Sequence, residues 1–168
     1  QPSLIQLVSS SVILDRPEGH GAGQDWFGVW WEEDPDAPGL LAPDISKPRV
    51  LQDISEWHDV IKWPDLDSID WEAAVKKDLP NGKDPNKILK AFSVSGPFER
   101  LHDLLGFEEA LIATIVDPEE CEAFFSRHCD YKIECIRKLK QYYDIDAVHF
   151  QDDWGTQKDL FFSPEFWR

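Results

Sequence analysis

The sequence predicts an α/β fold, and three observations carry that reading. Asp146 to Phe150 is a short apolar run that follows a long helical pattern and stops at a polar turn, as a buried strand does. Upstream, Ile88 to Val94 is a second such run, and helical patterns fill the interval between the two. A strand, a helical crossover and a second strand lie parallel and right-handed. The third observation is the aromatic and Pro-rich stretch from Trp26 to Leu51, which suits a hairpin-like excursion better than a strand–helix unit.

From the N-terminal end, Leu4 to Leu14 is apolar and β-branched with a break at Ser9-Ser10-Ser11, a strand or a short helix. Arg16 to Gln24 holds Pro17, Gly19, Gly21 and Gly23 and reads as a loop. Trp26 to Glu32 suits a strand, Asp34 to Gly39 a tight turn, and Leu40 to Leu51 extended chain broken at Pro43 and Pro48. Glu56 to Lys62 and Ile69 to Lys77 are short helices, with the loop Pro64 to Ser68 capping the second. After the strand at Ile88, Phe98 to Leu105 is a helix closed by Gly106, and Phe107 to Val116 is another. Asp117-Pro118-Glu119-Glu120 reads as an N-cap, a first-turn proline and a capping box. The helix it opens is expected to run to about Tyr143, burying Phe124, Phe125, His128, Tyr131, Cys135, Leu139 and Tyr142.

Composition narrows the function. The formal net charge is −16, which argues against nucleic acid and anionic membrane surfaces as partners. No run of about 18 apolar residues is present to span a membrane. Three Cys suit a reduced, cytoplasmic setting better than a disulfide scaffold. Eight Trp supply large apolar areas, most of them expected in packing. Cys121, His128 and Cys135 share a helix face, but seven residues rise about 10.5 Å, too far for one zinc ion to reach all three. No phosphate-binding Gly loop and no Ser-nucleophile elbow occurs. His20, Gln24 and Asp25 stand in a loop fit either for a ligand or for plain solvent, and Glu99, Arg100 and His102 are explained by a helix first turn.

The stretch richest in chemistry is Val148 to Gln157, where the strand runs into Asp152-Asp153-Trp154-Gly155-Thr156-Gln157. Two acids and a Gly favour a turn whatever their function. Followed by Phe161-Phe162-Ser163-Pro164-Glu165-Phe166-Trp167-Arg168, this block closely resembles the uroporphyrinogen decarboxylase superfamily. Three further blocks are similar to it in order and spacing: Asp25 to Trp31, Trp63 to Asp67, and Ser95 to Leu101 with Leu104-Leu105-Gly106.

The resemblance implies a (β/α)8 barrel. Such a barrel needs about 250 residues, and the chain has 168, no Met, and an end soon after a helix start. The expectation is therefore one partial barrel domain over residues 1–168, roughly the N-terminal half, with the excursion over the barrel mouth. A half barrel leaves a sheet edge unpaired, so self-association is expected.

The true decarboxylases of this superfamily carry an Arg-rich loop near the first strand; the comparable region here, Arg16 to Gly23, departs from it and only Arg16 would serve. The Asp-Asp-Trp-Gly-Thr-Gln and Phe-Gly-Val-x-Trp forms look more like the branch that transfers methyl groups to a corrinoid protein. The resemblance thus implies a parent methyltransferase acting on a quaternary amine or a methoxyaromatic, with uroporphyrinogen decarboxylation second and an inactive interaction module third. Asp152, Asp153 and His149 are the candidate catalytic residues, His149 facing the barrel interior and sharing a proton with the acids. Gln157, Trp26, Trp30, Trp31, His20 and Arg16 are the candidate substrate-binding residues. The corrinoid belongs to a partner protein, no metal ligand is assigned, and zinc, which some members bind through His-x-Cys on a later strand, stays open for the parent.

Overall fold

The computed structural model describes residues 3–8, 15, 22–34, 36–37, 39–93 and 95–167, apart from the side chain of residue 167. It is a mixed α/β fold with two small sheets. The first sheet is parallel and joins β1 (Ile5–Val8), β5 (Ile88–Ser93) and β6 (Ala147–Phe150), in that order. The second is antiparallel and joins β2 (Gly23–Gln24), β3 (Trp30–Glu33) and β4 (Leu41–Pro43). Strands β3 and β4 lie within the excursion expected between Trp26 and Leu51, and β2 lies just before it, in the stretch that reads as a loop.

Strand β5 shows why its sequence folds as it does. Leu89, Ala91 and Ser93 are buried on one face, while Ile88, Lys90 and Phe92 alternate on the other. The buried face packs under the helices α3 (Pro97–Leu105), α4 (Phe107–Val116) and α5 (Pro118–Tyr143), whose Leu101, Leu104, Ala110, Phe124 and Leu139 complete the core. The opposite face stays open: Ile5 pairs with Ile88 and Leu7 with Lys90, and Ile5, Leu7 and Ile88 are exposed.

Two short helices, α1 (Trp57–Val60) and α2 (Trp71–Asp78), lie between the sheets in sequence. The Trp side chains at their starts are core anchors with satisfied indoles. Trp57 donates to Glu120 at 3.1 Å, and Trp71 donates to the Leu66 carbonyl at 2.8 Å while stacking on Tyr142. Cys121, His128 and Cys135 are likewise buried along α5, and Cys129 is exposed.

Three local expectations are corrected. Trp26 to Val29 is a turn rather than the start of a strand, because the Asp25 carboxylate accepts the backbone N–H groups of Phe27 and Val29, both at 2.9 Å. Gly28 closes that turn with φ +94°, a conformation that favours glycine. The cap of α2 is Asp70, which accepts from the Ala73 N–H at 2.9 Å, and not a residue of Pro64 to Ser68. Asp117 does precede α5, but its side chain makes no cap hydrogen bond, so the capping box is not formed.

The final element, α6 (Pro164–Trp167), is a single turn. Among the described residues no helix is long and apolar enough to cross a membrane.

Candidate functional site

The C-terminal ends of β5 and β6 lie side by side, since Ser93 pairs with Phe150. The segments leaving the two strands therefore meet: Ser95-Gly96 and the start of α3 after β5, Asp152-Asp153 after β6. The Asp152 carboxylate accepts from the Glu99 backbone N–H at 2.8 Å and from that of Phe98 at 3.3 Å. It is an N-cap for α3 supplied from the neighbouring strand, satisfying N–H groups that the helix leaves without partners. Gly96 makes the approach possible, because a Cβ there would lie 2.3 Å from the Asp152 Cβ.

Glu99 folds back so that its carboxylate accepts the Ser95 N–H at 2.8 Å, with Ser95 held at φ +58°. Glu99, Asp152 and Asp153 thus form an acidic group around one helix start. Burial pushes the Glu99 carboxyl above the ordinary carboxylate range, and the nearby charge of Asp153 adds to it. Burial also raises Asp152, against the lowering effect of the backbone N–H groups it accepts from. Asp153 is about half exposed. A carboxyl that keeps its proton longer than usual is suited to proton donation.

His102 stands one turn further along α3. Its Nε2 lies 4.0 Å from Asp153 Oδ2, and its Nδ1 lies 3.4 Å from Asp103 Oδ1. Burial lowers its pKa; Asp153 opposes that and Arg100 reinforces it. The ring packs edge-on against Phe98 and Phe107. His102 also lines a cavity of about 400 Å³ between the excursion and the α3–α4 junction, together with Trp30, Lys47, Arg49 and Phe107.

Behind these groups lies a buried ionic network. Arg100 donates to Asp25 Oδ2 at 2.6 Å, approaches Asp15 at 3.4 Å, and stands over the Phe27 ring at 4.5 Å. Asp15 also accepts from the Tyr131 hydroxyl and the Lys132 ammonium, each at 2.7 Å. Burial works against the Arg100 charge, but Asp25, Asp103 and Asp15 outweigh it and raise its pKa. This network fixes the excursion loop to α3 and α5, and through Asp103 it reaches His102.

The residues singled out from the sequence are only partly brought together. Asp152 and Asp153 stand just past the C-terminal end of β6. The exposed ring of His149 rests on Phe92 at a centroid distance of 4.7 Å, and His102 stands 4.0 Å from Asp153. Trp31 is buried, and its indole N–H donates to Asp25 at 3.1 Å. Trp26 is partly buried against the core, while Trp30 does line the cavity. Gln157 is exposed in a loop closed by the Gly155–Leu160 bridge. Arg16 and His20 lie outside the described residues.

Sequence reasoning explained Glu99, Arg100 and His102 as a helix first turn, read Tyr131 as helix packing, and passed over Asp15 and Lys132. One signal was present: Lys132 interrupts the apolar stripe of α5 between His128 and Cys135, and a lysine in a buried stripe requires acids around it.

Among the described residues no group of three or more His, Cys, Asp or Glu is arranged to hold a metal ion. No family model, curated protein or solved structure matches the chain.

Proposed function

We propose that the chain is roughly the first half of a β/α-barrel of the uroporphyrinogen decarboxylase superfamily. We further propose that the parent enzyme transfers a methyl group from a small methylated compound to a corrinoid protein. The observation that carries this reading is the meeting of Asp152, Asp153 and Glu99 at the C-terminal edge of a parallel sheet, where barrel enzymes hold their chemistry. The parallel order β1-β5-β6 and the antiparallel excursion support the same reading.

The chain's own part is acid–base work and positioning. For a methyl ether, the raised carboxyl of Asp152 or Glu99 gives its proton to the oxygen that loses the methyl group, whereas a quaternary amine leaves as the neutral amine and needs none. Asp153, about half exposed with His102 Nε2 at 4.0 Å, stands between the two raised carboxyls and solvent. The corrinoid of the partner protein supplies the methyl acceptor when bound. The open sheet face would be covered by the rest of the barrel or by self-association.

The test is methylation of free cob(I)alamin by the full-length parent, scanned over methylamines and methoxyaromatics. Asp152→Asn and Asp153→Asn are each expected to lower the rate about 100-fold. Turnover of uroporphyrinogen with no response to any methyl donor would assign decarboxylation instead. Inertness of the completed barrel toward both substrate classes would leave an interaction module.

A further inference from the structure

The excursion has a feature that the acids at the sheet edge do not use. Its cavity of about 400 Å³ is of the size that takes a small ligand. Trp30 and Phe107 present exposed aromatic surface there, 41% and 45% accessible, and the His102 ring forms part of the wall. The wall carries two cations, Lys47 and Arg49, and two acids, Asp44 and Asp103.

The two cations are held differently. Arg49 pairs with Glu109 at 2.7 Å, and its guanidinium lies where a side chain at residue 106 would stand, since a Cβ on Gly106 would be 2.6 Å from Arg49 Cζ. Lys47 has no ion pair within 4.0 Å among the described residues. Its ammonium stands 5.5 Å from the Trp30 ring centroid. Of the acids in this wall, Asp44 accepts from Ser46 N and Oγ at 2.9 and 2.6 Å and also feels the Lys47 charge, which with those bonds holds its carboxyl below the ordinary range, and Asp103 faces Arg100 and His102.

From this arrangement we infer that the cavity binds a flat aromatic molecule bearing a carboxylate, its ring against Trp30 and Phe107 and its carboxylate on Lys47. The aromatic walls bury the ring. A carboxylate brought to the Trp30 wall gains a charge-assisted hydrogen bond from an ammonium that has no ion-pair partner among the described residues. A quaternary ammonium is disfavoured at the same wall, because Lys47 already occupies the cation position over Trp30 and like charges repel. The inference stands apart from methyl transfer, and binding is measured without any methyl donor or corrinoid.

The experiment is isothermal titration of the full chain with 2-naphthoate, with 2-naphthalenemethanol as the neutral analogue and 2-naphthyltrimethylammonium as the cationic one. Saturable binding of naphthoate, at least about tenfold tighter than either analogue, is expected. Lys47→Gln should weaken naphthoate about tenfold and leave the alcohol unchanged, and Lys47→Arg should restore most of the loss. Lys47 lies at an exposed position, so these variants keep the fold; Trp30→Leu, checked by circular dichroism, should weaken naphthoate and the alcohol together. Naphthoate binding no tighter than the alcohol, tighter binding of the ammonium, or no saturable heat up to about 1 mM naphthoate would overturn the proposal.

Discussion

The Asp152 carboxylate holds the Glu99 backbone N–H at 2.8 Å, so a residue beyond one strand caps the helix that comes after its neighbour. This single contact ties the end of β6 to the start of α3. It also gives Asp152 a structural duty alongside any chemical one, and the two are separable. Asn keeps an oxygen that accepts the Glu99 N–H, whereas Ala does not. Asp152→Ala is therefore expected to cost about 0.5–2 kcal/mol in urea unfolding, and Asp152→Asn clearly less. Equal losses would show that the charge rather than the acceptor holds the helix.

Gly96 is the reciprocal of that contact. Gly96→Ala forces a methyl group to 2.3 Å from the Asp152 Cβ, so it is expected to destabilise by about 1–3 kcal/mol. In the Asp152→Gly background that Cβ is gone with the rest of the side chain, and the added cost of the second substitution should fall. A double-mutant cycle from urea melts reads the coupling.

The raised carboxyls of Glu99 and Asp152 set the sign of a pH effect. In the window between the ordinary carboxylate pKa and the raised one, the folded state holds protons that the unfolded chain has released. Stability attributable to these groups is full below that window and falls as pH rises through it. Glu99→Gln keeps an acceptor for the Ser95 N–H and removes the charge. It should be more stable than the parent chain near pH 7 and lose that advantage near about pH 4, measured by urea unfolding at both.

Arg100 is the keystone of the buried network. Arg100→Leu leaves Asp25 and Asp15 with fewer partners and is expected to cost about 3–5 kcal/mol. Loss of the cooperative urea transition at low denaturant is the expected readout. A loss below about 1 kcal/mol would mean that the network contributes little to the fold.

The thiols should divide by burial. Cys121 and Cys135 are buried, their pKa values pushed up to about 12 chiefly by desolvation; Cys129 is raised too, by desolvation and then by Asp130, but it is exposed. One fast reaction with a disulfide reagent in the native chain, and three after urea, is the expected count.

Much of the fold was legible in the residues. The apolar run from Ile88 to Val94 marked β5, the periodic stripe marked α5, and Gly106 marked the break between α3 and α4, because hydrophobic pattern and backbone freedom are local properties. The acids after β6 were legible for the same reason: an apolar run that ends in Asp-Asp places them at a strand end. The partners of those acids were decided only by tertiary structure. His149 lay next to them in sequence, yet strand pairing sets it on Phe92 and brings His102 to Asp153 from a separate helix. Likewise the Asp25 turn exists because Arg100, 75 residues away, neutralises its carboxylate while the local N–H groups close on it. Charge satisfaction in a buried site depends on which elements pack together, and no local pattern carries that information.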